Sequence, residues 1–596
     1  MYSSYDHCRQ QLHGVEAIDY YLADSLYGHI QAGNAPLLFH SIMLLSALLR
    51  DGHGCLKLRA EAGQWHWRDE EGKGGYHFPS FAKWRDALQE AALAPRNEKP
   101  LVLDCERLYL RRYWTFETGV AHSLKALMAR SSLPDQDLAK EVLEQLFPSV
   151  PPGDQQRLAV ANAMGARFSV LSGGPGTGKT FTVTKLLAAM QRLRNHRLRI
   201  AMVAPTGKAA QRLMESVVAA KAVLQEQGVL TAEELRSIPE NAATLHRCLG
   251  VMPGQHEFRH HSGNTLPLDL LLVDEASMID LPMMYRLLQA LPPGASLVLL
   301  GDPDQLPSVS AGSVLADLTP RPHPGYSVEK QRWLRRLTGD AVPVACGKNA
   351  DYLGLLTDSR RFAGEGGIGR LGAAVIAGEA GKSWAVLKEE MQGLELQEDG
   401  DLQTWLDGWV EAYYQPLLQA RDVHQAFALL AAFRILCVTR SGPQGAEQVN
   451  EYVQARLRHT GLIPVDGKWY PGCPVMVTRN HYELDLFNGD TGLLLRHEGK
   501  LRVVFARGDE LRYLSPSRLP SLEAVYAMTV HKTQGSEFEQ VALLLPERDQ
   551  PLNTRELLYT GITRAKKSLM IRAGEQIWKK AVRRSVSRYS GLSERL

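Results

Sequence analysis

The sequence lacks several features that would assign it to a class at once. Its longest apolar stretch, residues 36–49, is interrupted by His40 and Ser41 and is too short to span a bilayer, so it predicts a buried helix and no membrane role. The first residues have neither the basic start nor the apolar segment of a secretory signal. The seven cysteines form no C-x-x-C pair and no zinc or iron–sulfur spacing. These absences favour reduced thiols and a cytoplasmic protein.

The sequence also lacks a large excess of either sign of charge. The 68 Lys and Arg residues against 65 Asp and Glu residues leave a formal net charge of +3 over 596 residues. Bulk charge therefore does not predict a nucleic-acid binder, and any such surface must be local. The length predicts roughly three or four domains, each with its own core.

The strongest positive signal is a phosphate-binding loop. Residues 173–180 (GGPGTGKT) satisfy the pattern G-x-x-x-x-G-K-S/T, in which backbone amides cradle phosphates. Lys179 would reach the β- and γ-phosphates, and the Thr180 hydroxyl would ligate Mg²⁺. The apolar run 168–171 predicts a buried strand before the loop, and residues 181–190 have helical spacing after it. The sequence therefore predicts a nucleoside triphosphate site between a strand and a helix.

Acidic and amide side chains follow two further apolar runs. Residues 270–273 lead into Asp274 and Glu275, which we interpret as the acid that faces Mg²⁺ and the base for the attacking water. Residues 296–300 lead into a loop with Gln305, which would lie at the same sheet edge and sense the γ-phosphate.

Three weaker signals surround this core. Gln156 lies one helix upstream of the loop, where its amide can read an adenine edge, and we prefer it to Gln155. Thr206 and Lys208 follow a strand at 199–204 and are suited to a backbone phosphate. Residues 244–247 have a similar composition, for which a helix cap is the alternative interpretation.

A basic stretch lies at residues 579–588 and consists of Lys579, Lys580, Arg583, Arg584 and Arg588. It predicts a solvated helix face, with DNA contact as the alternative.

Six motifs carry a resemblance when they are taken together. They lie at residues 173–180, 204–210, 273–278, 301–307, 530–538 and 558–565. In this order, over about residues 154–571, they resemble the motifs of superfamily 1 helicases. A GTPase would require an Asn-Lys-x-Asp motif, which the sequence does not contain.

Further residues narrow the resemblance to one branch of the superfamily. Residues 359–362, 486–492 and 531–538 are similar to the RecD-type branch of superfamily 1B, which includes the alpha subunit of exonuclease V (RecBCD-type) complexes. The resemblance implies ATP-dependent 5′→3′ movement on single-stranded DNA, action at DNA ends in double-strand break repair, and ATP and Mg²⁺ as cofactors. It also implies partner beta and gamma subunits, with residues 1–112 docking on the gamma chain.

The resemblance also implies residue roles. Arg361 and Arg564 would stabilise charge on the γ-phosphoryl group, with Arg360 as the competing candidate for the first, and Glu537 would contact the ribose. The expected catalytic residues are Lys179, Glu275, Gln305, Arg361 and Arg564. The expected nucleotide-binding residues are Gln156, Gly173, Gly176, Gly178, Lys179, Thr180, Phe181 and Glu537, with Thr180 and Asp274 at the metal. The expected DNA-binding residues are Thr206, Lys208, Thr244, His246, His531 and Thr533.

The predicted fold class is α/β, with two RecA-like parallel-sheet lobes, a helical N-terminal domain and a small SH3-like β insertion. Residues 434–440 and 524–529 are expected as strands of the second parallel sheet. The predicted domains are residues 1–112, 113–345 and 346–596. We expect a small hairpin near 250–267, around Phe258, that is thrust out of the core as a strand-separating pin, and the β insertion near 460–520. Two alternatives stay open: a regulatory subunit with a vestigial ATPase, and a stand-alone RecD-like helicase. No cluster of acids and lysine outside the ATP motifs predicts a nuclease.

Overall fold

The computed structural model describes residues 2–28, 30, 35–131, 133–252, 254–255, 257–359, 361, 366–398, 400–484, 486–507 and 510–596. Two separate parallel sheets organise these residues, as the sequence predicts. Within the same ranges, no helix has the length and apolar character needed to cross a membrane.

Residues 2–110 form a helical region with two small antiparallel sheets, one of three strands and one of two. The apolar stretch of the sequence is the helix Ala35–Arg50, which is buried along most of its length. Trp84 is fully buried against it and donates its indole N–H to the Ser41 hydroxyl over 2.9 Å. The helices are Tyr5–Gln11, Ala17–Tyr27, Ala35–Arg50, Leu58–Glu61 and Phe81–Glu90, and the strands are Leu56–Lys57, Trp65–His66, Tyr76–His77, Leu101–Asp104 and Arg107–Leu110.

The first lobe is a six-stranded parallel sheet with a core on each face. Along one strand, Leu270 and Leu272 belong to one core and Leu271 and Val273 to the other, because successive side chains of a strand point to opposite faces. In spatial order the strands are Leu353–Leu356, Phe168–Gly173, Ser296–Gly301, Leu270–Val273, Ile200–Ala204 and Ala243–Thr244. The first of these lies beyond the expected boundary at residue 345 and pairs with Phe168–Gly173.

Helices cover both faces of this sheet. Those before and within the first lobe are Arg111–Ala129, Gln136–Leu146, Gln155–Met164, Lys179–Arg192, Gly207–Glu226, Ala232–Ser237, Leu245–Leu249, Leu281–Ala290, Val314–Asp317 and Val328–Thr338, with a 3₁₀ turn at Ala276–Met278.

The second lobe is a five-stranded parallel sheet. In spatial order its strands are Leu394–Gln397, Ala565–Arg572, Phe538–Leu544, Phe433–Cys437 and Ala527–Thr529. Its helices are Gly367–Ile376, Ala380–Lys388, Leu402–Trp409, Gln415–Leu418, Val423–Ala432, Ala446–His459, Arg555–Ile562 and Glu575–Arg583, with a π-helical turn at Val410–Tyr414 and a 3₁₀ turn at Val530–Thr533.

A five-stranded antiparallel sheet is inserted into the second lobe. Its strands, in spatial order, are Glu510–Leu514, Lys500–Arg507, Thr491–His497, Pro474–Val477 and Leu522–Ala524, with 3₁₀ turns at Tyr482–Leu484 and Pro516–Arg518. This confirms a β insertion, and its assignment to the SH3-like class stays a prediction. Residues 524–529, expected as one strand, are divided between the two sheets, because the Asn450 side chain accepts the backbone N–H groups of Tyr526 and Ala527 at the bend.

Residues 584–596 leave the second lobe and cross to the rest of the molecule. Arg584 pairs with Asp549 over 2.7 Å. Arg588 donates to the carbonyls of Ser310 and Gly312 over 2.8 and 3.0 Å, and Leu592 is buried in the first lobe. The expectation of a solvated helix face is therefore wrong for the end of this basic stretch, because Arg584 is paired within the second lobe and Arg588 packs against the first lobe.

Candidate nucleotide site and DNA surface

The phosphate-binding loop has the geometry that its glycines allow. The strand ends at Gly173, and the helix begins at Lys179 with Gly178 as its N-cap. Gly176 and Gly178 have φ angles of 79° and 80°, a region that side chains disfavour. A Cβ on Gly176 would lie 2.4 Å from Arg361 Cβ. The glycines are therefore required both for the turn and for the close approach of Arg361.

Lys179 lies at the mouth of the loop that it is expected to serve. Its Nζ donates to the carbonyls of Gly173 and Gly174 over 2.6 and 3.0 Å. The ammonium group is thus held beside the loop by two neutral carbonyls. A bound phosphate would replace these two carbonyls with a charged acceptor, which makes the stronger hydrogen bond.

The acidic pair lies where the strand Leu270–Val273 ends. Glu275 has a φ of 51°, and its N–H donates to Asp274 Oδ1 over 2.8 Å. Burial and the neighbouring charge of Glu275 raise the pKa of Asp274 to about 6, against the opposing charge of Lys179. A divalent cation beside Asp274 would offset both effects. No group of three or more His, Cys, Asp or Glu side chains in the described chain could hold a metal by itself. The pair therefore suits a metal whose other ligands come from water and phosphate.

An arginine of the second lobe reaches the first lobe at Gln305. Arg564, 2% exposed, donates from Nη2 to Gln305 Oε1 over 3.0 Å. Its other nitrogens donate to the carbonyls of Thr560 and Ser536 over 3.0 and 3.1 Å, which fixes the guanidinium group. Burial lowers the pKa of Arg564, with Glu275 and Glu537 nearby to oppose that shift. The structure thus brings together Gln305 and Arg564, which the sequence assigned to one site.

Glu537 is held between two arginines. It pairs with Arg361 and with Arg212, each over 2.8 Å. Burial alone would raise the pKa of Glu537, but the charges of Arg212 and Arg361 hold it down to about 2. Glu537 and Arg361 therefore meet as predicted, whereas Arg360 lies outside the described residues.

The two remaining nucleotide candidates contact the loop and its helix. Gln156 is buried, and its Nε2 donates to the Thr177 carbonyl over 3.1 Å. A Cβ on Gly178 would lie 2.3 Å from the same nitrogen. Phe181 is half-buried on the first-lobe core, with Lys185 Nζ 5.1 Å from its ring centre. The contact of Gln156 with adenine and the binding of nucleotide by Phe181 stay predictions.

Part of the expected DNA surface lies around a cavity of about 240 Å³ in the first lobe. Thr206 and His246 line it, together with Gln534 and the exposed Val309. Burial lowers the pKa of His246, so this imidazole favours its neutral form. With Met278 also in the lining, residues from four of the six motifs or their flanks share one concave surface.

The other candidates differ in how much surface they present. Thr244 is buried and its hydroxyl accepts the Arg247 N–H over 3.2 Å, which is the helix cap considered as the alternative. Thr533 is fully buried and donates to the Val530 carbonyl over 2.6 Å. His531 is half-buried, and burial lowers its pKa. Thr533 would thus reach DNA only if its turn rearranged.

Lys208 occupies a different place from Thr206. It lines a cavity of about 270 Å³ between the first lobe and the β insertion, with Arg212, Arg434 and Asp490. Burial and the charges of Arg434 and Arg212 lower the pKa of Lys208 to about 8. Its lining balances the basic Lys208, Arg212 and Arg434 with the acidic Glu215, Asp490 and Glu537, so the cavity has no excess of positive charge. Its use by a DNA phosphate stays a prediction.

Phe258 lies in the segment expected as a hairpin. Backbone bridges join Val251 to Phe258 and His261 to Asn264, with residues 253 and 256 outside the described chain. Phe258 is only 8% exposed, packs in the first-lobe core and has Arg286 5.2 Å from its ring centre. The ring of Phe258 therefore does not project from the core, because its burial there is more favourable, and the role of the hairpin as a strand-separating pin stays a prediction.

Sequence reasoning missed four residues at this site. Asp302, Gln534 and Tyr559 lie within recognised motifs and form hydrogen bonds between the lobes. Arg212 lies one helical turn after Lys208 and pairs with Glu537. Their position in a motif, or one helical turn after a candidate residue, was a signal that could have identified them. Their partners, however, are distant in the sequence and cannot be inferred from it.

Known proteins resemble the chain in all three of its regions. The model of the RecBCD enzyme subunit RecD N-terminal domain matches residues 11–109, that of an AAA domain matches 156–311, and that of the UvrD-like helicase C-terminal domain matches 524–571. The RecBCD enzyme subunit RecD of Haemophilus influenzae is 38% identical over 546 residues, which cover 86% of this chain and 84% of that protein.

Two further relatives extend the comparison. The RecBCD enzyme subunit RecD of Mycolicibacterium smegmatis is 37% identical over 569 residues, 93% of each chain. The ATP-dependent RecD2 DNA helicase of Deinococcus radiodurans is 31% identical over 498 residues, which cover 82% of this chain and 58% of that protein.

Proposed function

Because the chain belongs to the family of the RecBCD enzyme subunit RecD, we propose that it is the ATP-dependent 5′→3′ DNA helicase motor of a RecBCD-type helicase–nuclease. The observation that carries this proposal is the hydrogen bond between Arg564 of the second lobe and Gln305 of the first. It brings an arginine to the edge of the sheet that also presents the phosphate-binding loop and the acidic pair.

In this proposal the chain uses ATP with Mg²⁺, and its own residues prepare the cleft. Lys179 exchanges its loop carbonyls for the phosphates, and Thr180 and Asp274 hold the metal. When bound, Mg²⁺ would neutralise charge on the phosphates. Glu275 accepts a proton from the attacking water, while Arg361 and Arg564 oppose charge on the γ-phosphoryl group.

The two lobes convert this chemistry into movement. The groups that face the nucleotide come from both sheets, so nucleotide binding favours the closed arrangement and hydrolysis releases it. Single-stranded DNA would cross the surface at Thr206, His246 and His531, held through its phosphates and therefore without regard to sequence. Alternating grip by the two lobes would then advance the strand.

The assembly completes the proposal. We infer a cytoplasmic heterotrimer with the beta and gamma subunits of exonuclease V, acting at DNA ends, with cutting performed by another chain. The presence of Lys179, Glu275 and Arg564 argues against a vestigial ATPase.

Substitution Lys179→Gln tests the proposal. ATP hydrolysis stimulated by single-stranded DNA should fall to background, while the thermal unfolding temperature stays unchanged. Lys140→Gln, on the exposed face of a neighbouring helix, is the matched control and should retain wild-type turnover. Wild-type turnover in Lys179→Gln would refute the motor.

A polarity assay tests the direction of movement. The full chain should unwind duplexes that carry a 5′ single-stranded tail and leave those with a 3′ tail paired. The reverse preference would refute 5′→3′ movement while leaving the ATPase assignment intact.

A further inference from the structure

Tyr559 and Asp302 make a buried hydrogen bond between the lobes that the proposed chemistry does not use. Tyr559 lies on the second-lobe helix Arg555–Ile562, and Asp302 directly follows the first-lobe strand Ser296–Gly301. The tyrosine hydroxyl donates to Asp302 Oδ2 over 3.1 Å. Exposure is 7% for Tyr559 and 2% for Asp302, so water does not compete strongly for this contact.

Asp302 in turn orients Gln305. The same oxygen, Oδ2, accepts Gln305 Nε2 over 3.2 Å, while Oδ1 accepts the Asp304 N–H over 3.1 Å. With its nitrogen held by the carboxylate, the Gln305 amide presents Oε1 to Arg564 Nη2 at 3.0 Å. Tyr559, Asp302, Gln305 and Arg564 therefore form a chain of hydrogen bonds that crosses between the lobes twice.

The Tyr559 hydroxyl also touches the phosphate-binding loop. A Cβ on Gly174 would lie 2.8 Å from this oxygen, so only glycine fits beneath it. The Gly174 carbonyl is one of the two that hold Lys179. One hydroxyl of the second lobe thus contacts both the loop that holds the phosphates and the acid that orients Gln305.

Protonation states are consistent with this arrangement. Burial raises the pKa of Tyr559 far above its usual range, and Asp302 and Asp304 raise it further, so the hydroxyl stays a neutral donor. Burial also raises the pKa of Asp302, against the opposing charge of Lys179.

We propose that Tyr559 and Asp302 are positioning residues for ATP hydrolysis, which align Gln305 with Arg564 and hold the loop at Gly174 when the lobes are closed. This inference rests on the proposed function. The residues act through Gln305, Arg564 and the loop, so their loss should change turnover more than the affinity for ATP.

The test is Tyr559→Phe in the full chain, which removes the hydroxyl and keeps the ring. The kcat of ATP hydrolysis with single-stranded DNA should fall about 10-fold, the effect of losing one buried hydrogen bond in the transition state. The KM for ATP should stay within about 2-fold, since ground-state contacts are retained. Tyr470→Phe, which removes a buried hydroxyl bonded to Tyr526 elsewhere in the second lobe, should leave kcat unchanged.

A double-mutant cycle separates positioning from general damage. Asp302→Asn should also lower kcat, and the loss in the double variant Tyr559→Phe with Asp302→Asn should be smaller than the product of the two single losses, because both residues act on Gln305 through one chain of hydrogen bonds. Multiplicative losses, or wild-type kcat in Tyr559→Phe, would overturn the inference alone. Absence of DNA-stimulated hydrolysis from the wild-type chain would overturn the proposed function and this inference together.

Discussion

Two junctions in this chain join distant segments through buried charges, and they are completed to different degrees. At the Glu117 junction, residues 590–595 meet the helix Arg111–Ala129 and the strand Arg107–Leu110. The fully buried Glu117 carboxylate accepts hydrogen bonds from Tyr109 Oη, Arg595 Nε, Gly591 N and Ser590 Oγ over 3.0, 2.9, 2.8 and 3.3 Å. At the nucleotide cleft, by contrast, Asp274 lies beside a second acid, and Lys179 contacts its own loop.

This difference indicates that the Glu117 junction holds one geometry and that the cleft is suited to bind a charged ligand. A buried carboxylate with charged and neutral donors on both oxygens holds one geometry, and removal of a partner is costly. Two adjacent half-buried acids repel each other, and a positive charge beside them would stabilise both. The Glu117 junction therefore ties residues 584–596 to the N-terminal region and first lobe, while Lys179 and Asp274 of the cleft stay available for nucleotide.

The largest expected effect is at the cleft. Arg564→Lys should lower kcat by about 10³–10⁵, because lysine cannot reproduce the forked contact of an arginine finger. The check is steady-state ATP hydrolysis with single-stranded DNA. Arg107→Lys, an equally buried arginine that pairs with Glu594 near the other junction, should keep wild-type turnover per folded molecule. If both variants hydrolyse ATP equally well, the contrast between the junctions fails.

An effect on stability alone is expected at the Glu117 junction. Glu117→Gln should lower the free energy of unfolding by roughly 3 kcal/mol, because the fully buried carboxylate loses its charge and the half-buried Arg595 loses one of its two carboxylates. Urea denaturation followed by tryptophan fluorescence measures this, and turnover of the folded protein should not change. Glu575→Gln, in the exposed pair with Lys579, should cost under about 1 kcal/mol. Equal midpoints for the two variants would contradict the assignment.

The smallest expected effect concerns Asp317, beside the Glu117 junction. Burial raises the pKa of Asp317 to about 7, the charge of Glu117 adds to this, and Ser590 and Arg107 oppose it. An acid whose pKa is raised by folding stabilises the protein while protonated, and this contribution is lost as pH rises through the folded pKa. Asp317→Asn has no ionisable side chain at this position, so the variant should not lose this contribution to stability as pH rises.

The unfolding temperature of Asp317→Asn minus that of wild type should therefore increase by about 1–3 °C between about pH 5.5 and about pH 8. Differential scanning fluorimetry at matched ionic strength measures this difference. A constant or falling difference would show that Asp317 ionises as readily in the folded chain as in the unfolded one.

Local patterns predicted much of the fold and the identity of the cleft residues. The loop at 173–180, the acids after 270–273 and the parallel sheets follow from glycine geometry and strand burial, which depend on neighbours in sequence. The burial of Phe258 was not predicted, because turn signals predict a hairpin but do not say whether its aromatic side chain packs inward. Residues 524–529 were misplaced because the side chain of Asn450, in a distant helix, divides them.

By itself, the sequence determined the chemistry of the cleft: a phosphate-binding loop, an acidic pair, an amide and arginines in the order of a helicase family. Only the tertiary structure decided the partners, namely Arg212 for Glu537, Tyr559 for Asp302, and residues 590–595 for Glu117. The physical reason is that backbone amides and glycine turns act over a few residues. Ion pairs and hydrogen bonds between lobes instead depend on where two separately folded sheets and their connecting segment come to lie.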